Sequence, residues 1–154
     1  MSEQLAYTAG LIDGEGYIGI VKRHRPDFGG KRYHQPVVKL VNTDEGMVDW
    51  MAQFGGYKYR RKPTTANRNP TWWWELRGWN QVEPFLRQIR PWLRTKAPHA
   101  DIIAEFCGAY KGRGRVALSE DVLDNRERLY FSLRKLTHRG PPPAETKRED
   151  TLSG

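Results

Sequence analysis

The stretch Thr8-Ala9-Gly10-Leu11-Ile12-Asp13-Gly14-Glu15-Gly16, TAGLIDGEG, decides how this chain is read. The periodicity before it predicts a helix over 3–13. Leu5, Thr8, Leu11 and Ile12 share one side, and Ala6, Ala9, Gly10 and Asp13 share another at i, i+3, i+4 and i+7. Gly14 and Gly16 are expected to supply the turn that stops it. Two carboxylates then fall at a helix C-terminus, where partial negative charge favours cations, so each costs stability. Taken alone, DGEG reads as a solvated acidic turn. It also offers short oxygen donors beside open helix-end carbonyls, the chemistry a hard divalent cation prefers. Breaches of local rules concentrate at functional sites, and this one lies next to the most basic part of the chain.

Working outward, YIGIVKRH (17–24) has strand composition, with Ile18 and Ile20 on one face and Tyr17, Gly19, Val21 and Arg23 on the other. A loop follows, then a second strand over 34–42. Asn42-Thr43-Asp44 offers an N-cap for a helix that runs to Phe54 and stops at Gly55-Gly56. YKYRRK (57–62) and TWWWELRG (71–78) predict two more strands around a turn-rich loop. Helices are expected over 80–93, about 98–110 and 119–138. Residues 1–139 are expected to form one domain, and the polar tail 140–154 to be disordered. Trp72 and Trp74 are expected to face the core and Trp73 to face outward; Trp50, Trp79, Trp92 and Cys107 are also assigned to the core.

The chain has 154 residues, 38% hydrophobic and 29% charged, which predicts a globular protein with a real core. Its lone cysteine precludes an internal disulfide and favours a reducing compartment, and its four histidines show no zinc spacing. No basic stretch precedes an apolar run at the N-terminus, and no apolar run approaches membrane-spanning length, so an intracellular protein off the membrane is expected. The net charge of +8 favours an anionic partner. Lys22, Arg23, Arg25, Lys31, Arg32 and Lys39 face one acid, Asp27, in the first hairpin. In the second, Lys58, Arg60, Arg61, Lys62, Arg68 and Arg77 face only Glu75. The other sixteen of the eighteen acids lie elsewhere, so positive charge is concentrated on the two hairpins.

TAGLIDGEG closely resembles the signature of the LAGLIDADG homing endonucleases, with Thr8 for the first Leu, Gly14 for the second Ala and Glu15 for the second Asp. The element order resembles that family's core, and RPWLRTK followed by a helix resembles the segment carrying its basic active-site residue. The resemblance covers about residues 3–110. It implies an α+β fold: an αββαββα core with a curved, saddle-shaped, four-stranded antiparallel sheet plus C-terminal helices. It also implies a metal-dependent endonuclease that cuts double-stranded DNA at a long pseudo-palindromic site, leaving short 3′ overhangs. Glu15 then corresponds to the metal ligand, with the Gly14 carbonyl assisting, and Mg²⁺ or Mn²⁺ is the implied cofactor, Ca²⁺ binding without supporting cleavage. Lys96 corresponds to the cation that stabilises charge at the cleaved phosphate. Lys39 is the candidate for positioning water, with Asn42 as the alternative.

The motif occurs once, so one chain carries half a site. The resemblance implies a homodimer packed through the first helix along Ala6, Ala9, Gly10 and Asp13, matching a two-fold DNA site. Strand alternation assigns Tyr17, Val21, Arg23, Arg25, Gln35, Val37, Lys39, Arg60, Lys62, Glu75 and Arg77 to the DNA face. Two other functions fit the same scaffold: an intron maturase, with intron RNA as partner, and a DNA-binding regulator that does not cut. The compartment implied is cytoplasm or nucleoid, or an organelle for an organellar gene.

Overall fold

A computed structural model describes residues 2–25, 31–66, 68–109 and 119–137. Helix α1 (Ser2–Glu15) is followed by strands β1 (Gly16–Arg25) and β2 (Lys31–Asn42), helix α2 (Glu45–Ala52), and strands β3 (Tyr57–Arg61) and β4 (Thr71–Arg77). Helix α3 (Trp79–Ile89) leads through a 3-10 turn, Arg90–Trp92, to α4 (Ala97–Gly108) and α5 (Glu120–Thr137). The tail assigned to disorder lies outside the described residues. No helix among them is long and apolar enough to cross a membrane.

Local chemistry accounts for most boundaries. Asp44 caps α2, its carboxylate accepting from the Gly46 amide at 2.9 Å, and Gly55 and Gly56 end that unit with φ of 91° and 85°. The end of α1 differs from expectation. Neither Gly14 nor Gly16 has positive φ; the helix runs through Glu15, and β1 starts at the next residue. Gly16 is needed for closeness instead. A Cβ there would stand 2.7 Å from the Ile12 Cα and 2.8 Å from its carbonyl oxygen. Gly16→Ala should therefore destabilise the fold by about 1–3 kcal/mol, as overpacking does. Gly14→Ala meets nothing within 4 Å and should gain about 0.5–1 kcal/mol of helix stability. Urea midpoints moving in opposite directions for the two variants would establish this.

The strands pair antiparallel in the order β1-β2-β4-β3. Alternate residues sort cleanly: Ile18, Ile20, Val38, Leu40, Trp74 and Leu76 enter the core shared with the helices, each at most 4% exposed. The helices pack on this face; at the β1 edge of the opposite face, Tyr17 shares a cavity with Tyr130, Leu133 and Arg134 of α5. Trp74 is fully buried, its indole N–H donating to the Gly55 carbonyl at 2.8 Å, and Trp73 faces the opposite way, as the alternation predicts. Trp79 does not join the core; it opens α3 and is 40% exposed. Burial raises the Cys107 thiol to about 12, so it stays protonated within the core.

Candidate active site and open sheet face

The acid at the wrong end of α1 has specific partners. One Asp13 carboxylate oxygen accepts from the Arg94 amide at 2.8 Å and the other from the Lys96 amide at 2.9 Å. Lys96 Nζ donates to the Asp13 carbonyl at 2.7 Å. Two backbone donors and an ammonium thus offset the unfavourable helix end, and they lash α1 to the start of α4. Lys96, the N-cap residue of α4, is thereby held against Asp13, two residues before Glu15. His99, one turn into α4, is 8% exposed, and nothing in its sequence neighbourhood marks it. Burial and the adjacent Lys96 charge lower its pKa, with Asp13 and a Leu136 backbone hydrogen bond opposing, so it is neutral at pH 7.

Glu15, the last residue of α1, is exposed, as is Gly14. Among the described residues no group of three or more His, Cys, Asp or Glu side chains could enclose a metal. One carboxylate beside helix-end carbonyls still fits a hard cation that takes oxygen donors and keeps several sites for water or phosphate. That donor set is partial in one chain. Asn42 serves the chain itself, its side-chain oxygen accepting from the Asp44 amide at 2.8 Å.

Residues assigned to the DNA face divide into several groups. Tyr17, Val21, Gln35, Lys39 and Arg77 occupy the open-face register, with Tyr17 39% exposed and its ring lying over Gly19. Arg23 and Arg25 occupy β1 positions opposite Tyr33 and Lys31. Val37 shares the open face but is 1% exposed, between Gly19 and Arg77 in the pairing, so its side chain is covered. Glu75 is also buried, at 2% exposure, between Lys39 and Arg77. It therefore offers no accessible carboxylate to a base.

On β3 the expected face is corrected by one residue. Arg60 pairs with Trp72 on the helix side, and Lys58 beside it bonds Glu45 and Asp49 of α2. Lys62 lies beyond the strand end. Tyr57, Tyr59 and Arg61 occupy the open face instead. Tyr59 stacks on Trp73 with centroids 5.7 Å apart, and the Arg61 guanidinium lies 4.1 Å from the Trp73 ring centre. YKYRR has no apolar alternation to mark a core side, which leaves register weakly specified from sequence. The one available signal was Trp73: its outward assignment fixes the face of whatever pairs with it.

The small-residue stripe of α1 is also revised. Ala9 is fully buried in the chain's own core with Thr8 and Ile12, because that side of the helix packs inward. Ala6 and Asp13 are partly exposed, and Gly10 is exposed, where an added Cβ would meet nothing within 4 Å.

No protein-family model and no curated protein matches the chain. Solved structures do match. The chain is similar to the homing endonuclease I-CvuI in complex with the I-CreI target, with Mg present and the DNA not cleaved. That match has a TM-score of 0.74 and 17% identity, over 92% of this chain and 86% of that one. It is similar to the archaeal intron-encoded homing endonuclease I-Vdi141I complexed with DNA, at TM-score 0.73 and 18% identity, over 92% and 89%. The LAGLIDADG homing endonuclease I-SmaMI bound to cleaved DNA matches at TM-score 0.68 and 13% identity, over 87% of this chain but 45% of that one. The fold is therefore the LAGLIDADG homing endonuclease fold, with its curved four-stranded antiparallel sheet.

Proposed function

We propose that this protein is a site-specific, divalent-metal-dependent homing endonuclease that cuts double-stranded DNA as a homodimer. The observation that carries this is the junction of α1 and β1. It sets an exposed carboxylate, Glu15, and a tethered cation, Lys96, at one end of an open, cation-bearing sheet face. Such a sheet fits the major groove, where alternate side chains reach base edges. The solved relatives complexed with DNA support a DNA partner, and I-CvuI complexes in the presence of Mg or Ca support a divalent cofactor.

In this reading Glu15 and the Gly14 carbonyl would hold the metal, leaving positions open to water and phosphate oxygens. When bound, a divalent ion lowers the pKa of its water and neutralises charge on the scissile phosphate. The chain's own residues supply the rest. Lys96 adds positive charge where the departing oxygen becomes anionic, and its bond to the Asp13 carbonyl fixes that charge before DNA arrives. Lys39 contributes a further cation on the adjoining face. Two copies meeting along Ala6, Gly10 and Asp13 would bring two Glu15 carboxylates together and impose two-fold symmetry on the target, with short 3′ overhangs as products.

The deciding experiment is a cleavage selection from a library of randomised two-fold duplexes, run with Mg²⁺ and with a chelator. Cutting confined to one family of long, two-fold-related sites, and abolished by the chelator, is expected. Uniform degradation, or no cutting with Mg²⁺ or Mn²⁺, would overturn the proposal. Sedimentation should give a dimer for the parent and a monomer for Gly10→Arg. Gly10 has room for a side chain within its own chain, so an arginine there would act on a packed copy rather than on the fold. A monomeric parent, free and on DNA, would remove the homodimer.

A further inference from the structure

On the open sheet face a single carboxylate holds two cations. Glu75 Oε2 accepts from Arg77 Nε at 2.8 Å and lies 2.7 Å from Arg77 Nη2, while Oε1 lies 3.2 Å from Lys39 Nζ. The register builds this group: Lys39 stands directly opposite Glu75, and Arg77 follows two residues later on the same face of β4. The Glu75 side chain is 3% exposed, against 27% for Lys39 and 34% for Arg77. The acid therefore lies beneath, and the cations lie above it towards solvent.

This arrangement defines how the arginine can be used. A guanidinium has two forks. Glu75 occupies the side fork, Nε with Nη2, which leaves the Nη1–Nη2 end fork for an outside acceptor pair. Guanine presents such a pair, O6 and N7, in the major groove. An unanchored arginine would lose much rotamer freedom on binding; one already held loses less, and it also rejects poorly aligned partners more strongly. Burial alone pushes the Glu75 carboxyl up, but the bonds and charges of Arg77 and Lys39 outweigh it and hold it below the ordinary glutamate range. The carboxylate is thus ionised, and the clamp charged, at neutral pH.

We propose that Glu75 is a positioning residue for sequence readout, fixing Arg77 end-on to read one guanine in each half-site and holding Lys39 beside it, without itself touching a base. This rests on the DNA-binding function proposed above. It replaces a direct role for Glu75 at cytosine with an indirect one at guanine.

Two measurements test it separately. Without DNA, in protein carrying ¹⁵N-arginine, the Arg77 Nε–H should exchange at least about tenfold more slowly than an exposed arginine such as Arg87, and Glu75→Gln should remove that protection. An unprotected Arg77 in the parent would overturn the clamp. With DNA, binding and cleavage profiles over the randomised target should show Glu75→Gln losing about tenfold discrimination at one base pair per half-site. Arg77→Lys should lose discrimination at that same position, and the double variant should lose no more than either alone. A Glu75→Gln profile identical to the parent's, or a loss at a position Arg77→Lys does not affect, would overturn the positioning role. Should Glu75→Gln fail to fold, Glu75→Asp, which keeps the charge but shortens the reach, takes its place with the same expected position. A parent that binds no duplex site would instead overturn the DNA function while the exchange result stands on its own.

Discussion

Glu15→Gln is expected to abolish cleavage, by at least about a thousandfold, while chelator-insensitive binding to the same site stays within a few-fold of the parent. The amide keeps the size and one acceptor oxygen but removes the charge that makes a hard-cation ligand. Nothing in the fold requires that charge: Glu15 is exposed and ends α1, where a negative charge opposes the helix dipole. Thermal unfolding of the variant should therefore occur at or slightly above the parent's temperature. An inactive, fully folded, DNA-binding variant separates chemistry from scaffold. Cleavage by Glu15→Gln at the parent's rate would remove Glu15 from the site. If the protein also assists splicing of an intron RNA, that activity should survive in the same variant.

Lys96→Met should lower the cleavage rate about 10²- to 10³-fold, the range found when one preorganised charge-stabilising donor is removed. Binding should fall little, because the ammonium is committed to the Asp13 carbonyl at 2.7 Å rather than extended across the open sheet face. Lys96→Arg should restore only part of the rate, since a planar fork cannot replace a point charge at that carbonyl. Asp13→Asn is the informative companion. It weakens the acceptors for the Arg94 and Lys96 amides, so its main effect should be on stability, about 1–3 kcal/mol, with a smaller rate loss. Single-turnover rates and urea midpoints on the same samples distinguish the two roles. If Lys96→Met cuts as fast as the parent, the charge at the leaving oxygen comes from elsewhere.

Where hydrophobic alternation was strong, the sequence was readable. Ile18 with Ile20, Val38 with Leu40, and Trp74 with Leu76 mark the inner face of three strands, and all are buried as the alternation requires. The helix-strand order followed from the same periodicities and from Gly55-Gly56. The β3 face was not readable, because Tyr57, Lys58, Tyr59, Arg60 and Arg61 are amphipathic or charged on both sides. Only the partner strand, through Tyr59 on Trp73, settles it. Glu75 and Val37 were placed on the right face, yet alternation carries no information about what neighbouring side chains cover. Asp13 illustrates the deeper limit. Its partners lie 81 and 83 residues away, so no local pattern could assign its carboxylate to the loop before α4. Ala9 failed differently, since an alanine fits a core and an interface equally well.

The absence of any turn between α1 and β1 has a metric consequence. Glu15 and the ten residues of β1 form one continuous rod, anchored where Gly16 presses against Ile12. At about 3.3 Å per residue that rod extends about 30 Å from the carboxylate, and duplex DNA rises 3.4 Å per base pair, so its reach is about nine base pairs. With Glu15 as the proposed metal ligand, the strand would be a ruler with its zero at the cutting group. A change in the length of β1 would alter how far the outermost contact lies from the scissile bond without altering where the bond is broken. The offset between cut and centre of symmetry would then belong to α1, and the length of the recognised half-site to β1.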